Sequence, residues 1–258
     1  MTTSFSRRNW ICAAGFGLPL ASAIAAPEPA KVGVPDTFPM QPAELVKETV
    51  SVSHGNVKRV KELVEAHPSL AKAAWDWGFG DWEAAIDAAS HVGNREIAEY
   101  LIGKGAKPTL FTAAMLGQLD IVKAFITASP GIQRTLGPHG ISLLAHAKNG
   151  GASAKEVYQY LDSLGDAGSP TPASLTEEEA SALAGTYSFG SGPTEQIEIK
   201  ATKAQLLFTR TGTVGRPLYH LGANAFRPAG AEAVRIQFKD STLTVHDPDP
   251  IVVATKTK

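Results

Sequence analysis

The sequence predicts an α + β protein of two domains, in which a helical solenoid precedes a small antiparallel β-sheet or barrel. Three observations predict this fold class. Apolar residues recur at helical spacing up to about Leu164, and segments of this helical part repeat one another. From about Ala184 to the end of the chain, apolar and polar residues alternate as they do in half-buried strands.

Changes in composition divide the chain into five segments. Prolines are frequent before the helical part, which is typical of an extended lead-in. A run of turn-forming residues at 166–174 separates the helical part from the alternating part. The predicted order is a signal peptide at 1–25, a proline-rich lead-in at 26–40, a helical domain at 41–165, a linker at 166–175 and a β-domain at 176–258.

The first 25 residues are typical of an export signal. Arg7 and Arg8 precede an apolar run that contains glycine and ends in small residues at 23–25. The paired arginines between a serine and an aromatic residue resemble the twin-arginine class of signal, and an ordinary secretory signal is the alternative. Because roughly 15 apolar residues are too few to span a bilayer of about 30 Å, we expect cleavage after Ala25. The mature protein is then periplasmic, with no membrane span.

Charge and cysteine content exclude several classes of function. The formal net charge is −1, and removal of Arg7 and Arg8 with the signal leaves 22 basic against 25 acidic residues. This balance provides no electrostatic footprint for nucleic acid, so we predict no nucleic-acid partner. The single cysteine, Cys12, lies within the signal. The mature chain therefore lacks disulfides, thiolate nucleophiles and cysteine-ligated metal sites.

The helical part contains an internal repeat. Segments 93–102 and 117–126 superpose without a gap, and 55–64 fits a similar frame. An alanine-rich helix precedes the first two of these segments, and its small residues allow close stacking on neighbouring helices. Within 110–123, a Leu, an Ala-Ala pair, a Gly and an Ile-Val-Lys run stand at the spacing that ankyrin repeats show.

On these motifs, residues 41–165 resemble the ankyrin-repeat family, and in particular an uncharacterised group of exported bacterial ankyrin proteins. The resemblance implies a solenoid of about four divergent repeats. Ankyrin solenoids usually bind proteins, so it also implies a protein partner, although a fold by itself does not establish a function.

The spacing of the repeats predicts a notch on the solenoid. Equivalent glycines at 93 and 117 are 24 residues apart, where about 33 is usual. The loop between these two repeats, called a finger in ankyrin proteins, is therefore short and lies between two longer ones. We expect aromatic residues and a histidine to line the resulting notch and to bind a partner. The same aromatic residues could instead fill the space left by the short finger. The candidate binding residues are Trp75, Trp77, Phe79, Trp82 and His139.

The C-terminal part is predicted to be all-β. Residues 196–200, 234–238 and 243–246 alternate apolar and polar side chains, and polar breaks separate them at hairpin distances. The segment 183–187, after a short acidic helix, resembles the small β accessory domain that follows the catalytic domain in some serine-β-lactamase-like hydrolases. That resemblance implies packing, dimerisation or binding rather than catalysis. A small closed sheet could also hold a small apolar ligand.

No motif predicts catalysis. The sequence lacks a nucleophile elbow, an HExxH helix, a P-loop and a dinucleotide-binding glycine run, so we predict no catalytic residue and no cofactor. Asp87 and His91 stand at i, i+4, and His139 and His146 could approach the notch. Two such side chains fall short of a metal ligand set, so we also predict no metal site. We expect His54 to be a surface or packing residue.

We therefore expect a periplasmic, non-enzymatic protein that acts as a scaffold or adaptor and recognises an envelope protein or peptide through its notch. The alternative is a small-molecule-binding protein, with the ligand in the notch or in the β-domain. A hydrolase or metal enzyme built on the two residue pairs just named is the third hypothesis.

Overall fold

Nine α-helices and two β-sheets make up the regular structure of residues 36–257, the part of the chain that the computed structural model describes. The predicted signal peptide at 1–25, its cleavage site and most of the proline-rich lead-in at 26–40 lie outside the described residues. Between 36 and 257, no helix has the length and apolar character that crossing a membrane requires.

Helices of the first part follow one another in pairs, each pair joined by a short turn. They are α1 (Ala43–Val52), α2 (Val57–Ala66), α3 (Ala85–His91), α4 (Arg95–Gly103), α5 (Leu110–Met115), α6 (Leu119–Ala128), α7 (Leu143–Asn149) and α8 (Lys155–Leu164). Alanines of α3 and α5 are fully buried, which lets these helices pack closely.

Polar side chains at the helix starts determine where several of these helices begin. Asn56 and Asn94 accept a hydrogen bond from the backbone three residues on, at the starts of α2 and α4. Thr109 and Ser142 do the same at the starts of α5 and α7. Each cap satisfies an N–H group that has no partner within its helix.

Gly117, in the turn between α5 and α6, shows why glycine recurs between paired helices. Its φ is +77°, a conformation that favours glycine. A Cβ atom at this position would overlap the carbonyl group of Ser153, which belongs to the next helix pair. The glycine therefore allows both the turn and the close approach of the two pairs.

A short hairpin is inserted between α2 and α3. Its strands β1 (Ala74–Asp76) and β2 (Trp82–Ala84) are antiparallel, with Ala74 opposite Ala84. The loop 77–81 carries the predicted aromatic residues Trp77 and Phe79. In this loop Gly78, Phe79 and Gly80 all have positive φ.

The C-terminal part is a closed antiparallel barrel, preceded by α9 (Glu177–Leu183), which begins with a capping box between Thr176 and Glu179. The barrel strands are β3 (Gly185–Ser188), β4 (Gln196–Thr202), β5 (Gln205–Arg210), β6 (Arg216–Gly222), β7 (Ala225–Pro228), β8 (Arg235–Lys239), β9 (Thr242–Asp247) and β10 (Asp249–Lys256). Strands adjacent in sequence pair with each other, and β10 closes the barrel against β3.

Alternating side chains build the interior of the barrel. In β4, Ile197 and Ile199 are buried whereas Glu198 between them is exposed. Aromatic rings fill the centre, where Phe226 and Phe238 meet edge to face with centroids 5.5 Å apart.

The predicted fold class is wrong. We expected an ankyrin-repeat solenoid joined to a small β-domain, whereas the described residues form short helices and a closed eight-stranded barrel. The two parts also contact each other directly, because Asp81 of the hairpin loop pairs with Arg216 of the barrel and Gly140 lies against Gly230. From Pro39 onward the chain is one compact unit. The repeated pattern reflects pairs of amphipathic helices, and local periodicity does not show how such pairs assemble.

Candidate metal centre

Four side chains from separate elements converge beside the hairpin. His54 lies in the turn between α1 and α2, Glu83 in β2, His91 at the end of α3, and His139 in a short 3₁₀ turn, Pro138–Gly140. One potential ligand atom from each lies within 4.8 Å of the others. These four residues are the candidate metal centre.

The distances from Glu83 Oε1 to the three histidines match those expected between the ligands of one ion. Glu83 Oε1 is 3.1 Å from His91 Nε2, 3.3 Å from His139 Nε2 and 3.5 Å from His54 Nε2. Neighbouring ligands of a tetrahedral zinc ion are about 3.3 Å apart, since its bonds to nitrogen and oxygen are about 2.0–2.1 Å long. Three imidazole nitrogens thus surround one carboxylate oxygen at ligand spacing.

Hydrogen bonds on the far side of two rings orient them toward the centre. His139 Nδ1 lies 2.9 Å from Asp81 Oδ2, and His54 Nδ1 lies 2.9 Å from the carbonyl oxygen of Ser51. Because a carboxylate and a carbonyl only accept, Nδ1 carries the proton in both rings. In its neutral form, each ring presents the lone pair of Nε2 to the centre, as metal-ligating histidines do.

Glu83 is the most deeply buried residue of the centre. Its side chain is fully buried, and Trp77 Nε1 donates to Oε2 at 2.8 Å, which leaves Oε1 to face the histidines. Among the described residues, neither Oε1 nor His91 Nε2 has a hydrogen bond of suitable geometry. A buried, unpartnered oxygen and nitrogen 3.1 Å apart are costly unless a cation or a proton lies between them.

The pKa shifts follow from these contacts. Burial by itself would raise the pKa of Glu83, but the imidazoles of His139, His54 and His91 outweigh it and hold this pKa well below its usual range. The contact with Glu83 raises the pKa of His54. For His139, burial opposes protonation, but Asp81 and Glu83 outweigh it and raise the pKa to about 9. The centre is therefore a strong site for positive charge.

Asp81 holds His139 in place at two points. Its Oδ1 accepts the backbone N–H of His139 at 2.9 Å, while Oδ2 accepts from the ring. His139 has a φ of +61°, which non-glycine residues rarely adopt. The buried carboxylate therefore stabilises both an unusual backbone conformation and the direction of the ring.

Arg216 connects the centre to the barrel. Its Nη1 donates to Asp81 Oδ2 and to the carbonyl oxygen of Ala229, each at 2.8 Å, and its Nη2 donates to the carbonyl oxygen of Trp77 at 2.7 Å. A cavity of about 350 Å³ lies between this arginine and the centre. Its lining includes His54, Trp77, His139, Val214, Arg216 and Tyr219. We call it the central cavity.

The structure brings together two of the five predicted binding residues. Trp77 and His139 line the central cavity, with ring centroids 6.2 Å apart. Phe79 instead packs against Phe208 at the barrel. Trp75 is half-buried against the helical core, and Trp82 is 62% exposed. The five residues thus point to different surroundings and do not line one notch.

Each predicted polar pair supplies one residue to the centre. His91 belongs to it, whereas Asp87 accepts a hydrogen bond from Thr109 Oγ1 at 2.9 Å. His139 belongs to it, whereas His146 is buried beside Phe111 and bonds through Nδ1 to the carbonyl oxygen of Ser142. Burial lowers the pKa of His146 to about 4.

Sequence reasoning missed His54, Glu83 and Arg216 as site residues. One weak signal was present for His54, because His54 and His91 lie one and two residues before the turn glycines, Gly55 and Gly93, of consecutive helix pairs. The turns of the two pairs lie side by side, and the two rings meet with centroids 4.8 Å apart. Glu83 and Arg216 carry no comparable local signal.

No model of a known protein family and no curated protein sequence matches this chain. The resemblance of 176–258 to a β-lactamase-like accessory domain therefore stays a prediction, as do export and a periplasmic location. The function has to be argued from the centre itself.

Proposed function

We propose that the protein binds one divalent transition-metal ion, with zinc the best fit, through His54, Glu83, His91 and His139. The observation that supports this most strongly is the convergence of three imidazole Nε2 atoms on Glu83 Oε1 at 3.1–3.5 Å. This proposal replaces our expectation that the chain has no metal site.

The chemistry of the ligand set favours zinc. Calcium and magnesium prefer sets made of oxygen atoms, whereas imidazole suits zinc, copper, iron and nickel. Three nitrogens and one carboxylate oxygen form a set of four, the number that zinc takes in tetrahedral sites. The distances of the three nitrogens from Oε1, 3.1–3.5 Å, are close to the ligand spacing of such a site.

The surrounding residues have distinct parts in this proposal. Asp81 and the Ser51 carbonyl orient two rings, and Trp77 holds the glutamate through its second oxygen. Such outer partners raise metal affinity because they hold the ligands in one orientation. Glu83 is fully buried, while His54 and His139 are about a third exposed toward the central cavity. An ion therefore reaches the centre from the cavity side.

Metal titration of the mature chain tests the proposal. After treatment with a chelator, the chain is titrated with zinc against a chromophoric competitor, and we expect one ion per chain. Cobalt as a substitute ion gives a visible spectrum that distinguishes four nitrogen and oxygen ligands from six.

Two histidine variants make the test specific. His54→Ala removes one ligand, and His67→Ala removes an exposed histidine that lies outside the centre. We expect the first variant to lose most of its zinc affinity and the second to keep it. Equal affinity in both variants, or no uptake of zinc by the wild-type chain, refutes the proposal.

Recognition of an envelope protein or peptide remains a second proposal, supported by one observation. Trp82 is a large aromatic residue with 62% of its surface exposed, and exposed tryptophans are frequent anchors at interfaces. Replacing it by alanine should weaken capture of a partner without changing zinc affinity, because Trp82 lies outside the candidate metal centre.

A further inference from the structure

The central cavity adjoins both the metal centre and Arg216. At about 350 Å³ it is at the lower end of the range for small-molecule sites, which suits a compact ligand. His54 and His139 form one side, and Arg216 forms another. A ligand in this cavity therefore has a metal ion and a guanidinium group within reach.

The charges around the cavity favour an anion. A bound divalent ion and Arg216 together supply three positive charges. Asp81 and Glu83 supply two negative charges, and histidines that ligate a metal are neutral. One positive charge remains, in a site where both acidic side chains are buried. A ligand with a single negative charge balances the centre.

Arg216 has donors left for such a ligand. Among residues 36–257, its three hydrogen bonds to Asp81, Ala229 and Trp77 use three of the five N–H groups of a guanidinium. A carboxylate accepts two parallel hydrogen bonds from arginine, or one hydrogen bond together with one bond to a metal. Catalytic zinc sites can also expand from four to five ligands.

The rest of the cavity is apolar. Val214, Pro217 and Tyr219 line it together with the ring of Trp77. Val214 is 76% exposed at the rim, so an apolar group placed against it removes this side chain from water. The ligand therefore combines one anionic group with an apolar body.

We propose that the central cavity binds a small carboxylic acid with an apolar body, whose carboxylate lies between Arg216 and the metal ion. This inference rests on the proposed function, because the ion supplies part of the charge that holds the carboxylate.

Calorimetry on the zinc-loaded mature chain, with the zinc content measured in the same sample, tests the inference. The probe is 3-phenylpropanoate, and the matched neutral probe is 3-phenylpropan-1-ol, which has the same apolar body. We expect the carboxylate to bind at least about tenfold more tightly than the alcohol, because hydrogen bonds to a charged partner are the stronger ones. Removal of zinc should reduce this preference, since Arg216 alone then holds the carboxylate. Fluorescence of Trp77, which touches both the glutamate and the cavity, provides an independent readout.

A charge at the rim tests the position of the ligand. Val214→Asp places a negative charge at the mouth of the central cavity, and Val253→Asp places one on β10, outside that lining. Both valines are more than half exposed, so both variants should fold. We expect only the first to weaken binding of the carboxylate.

The outcomes separate the two proposals. A chain that takes up no zinc overturns both. A zinc-loaded chain that binds the alcohol as well as the acid, or that binds the acid equally without zinc, overturns the ligand inference and leaves the metal centre intact. Equal binding by the two valine variants overturns the location in the central cavity.

Discussion

Asp81 is the residue whose substitution best separates metal positioning from stability. Its carboxylate is buried and accepts from the backbone and the ring of His139 and from Arg216. Asp81→Asn keeps the shape of the side chain but removes the charge and replaces one acceptor oxygen by a donor. Oδ1 accepts from the backbone N–H of His139, and Oδ2 accepts from its ring and from the guanidinium, so at least one of these three hydrogen bonds is lost whichever oxygen is replaced.

Two effects of different size should follow. Loss of an outer partner of a metal-ligating histidine lowers metal affinity by about 10–100-fold. Loss of one hydrogen bond to a charged, buried partner should lower the free energy of unfolding by about 1–3 kcal/mol. Zinc affinity is measured by competition with a chelator, and stability by urea unfolding of the metal-free chain.

The matched control lies in the same hairpin. Asp76 is exposed and accepts a hydrogen bond from the backbone of Gly78, which an asparagine also accepts. Asp76→Asn should therefore leave both quantities nearly unchanged. If Asp81→Asn loses stability but binds zinc as tightly as Asp76→Asn, Asp81 has no part in positioning the ligand. If it loses neither, the described contacts of Asp81 are unimportant.

Three further predictions follow from the same contacts. Zinc binding near pH 7 should release at least about one proton per ion, because His139 with its pKa of about 9 must lose a proton to become a ligand; binding enthalpies that do not differ between buffers of different ionisation enthalpy contradict this. The pKa of His146 falls from 6.5 to about 4 on folding, so the unfolded chain binds more protons below pH 6.5. The free energy of unfolding should therefore fall by about 3 kcal/mol on account of His146 as the pH falls from 6.5 to 4. In urea unfolding, His146→Asn should lack this part of the pH dependence. Gly117→Ala should destabilise the chain by more than Gly165→Ala, since both glycines have a φ near +76° but only a Cβ at Gly117 meets another backbone segment; equal thermal shifts of the two variants would contradict the close approach.

Local patterns were sufficient for much of the secondary structure. Residues 196–200 and 243–246 lie within strands β4 and β9, because alternation of apolar and polar side chains is a property of a strand and its nearest partner. The acidic segment after Thr176 is a helix for a similarly local reason, since its capping box spans only four residues. The predicted fold class failed at the next level, because contacts between distant segments, such as the pairing of β10 with β3, decide the assembly.

The candidate metal centre shows the same division. The sequence indicated that Trp77 and His139 are of interest, and it paired His91 and His139 with the wrong partners, Asp87 and His146. His139 bonds to Asp81, 58 residues earlier in the chain, and Arg216 bonds to the same carboxylate across 135 residues. No periodic pattern records such a pairing, because each side chain is individually compatible with many positions on a surface.

The sequence by itself determined many of the helices and strands, since capping, turn residues and apolar periodicity act over a few residues. Only the tertiary structure decided that β10 closes against β3 and that a hairpin loop brings Asp81 and Glu83 among the histidines. These contacts depend on the packing of whole elements, whose free energy is shared among many residues. The ligands of the proposed metal ion therefore became recognisable only when the chain was folded.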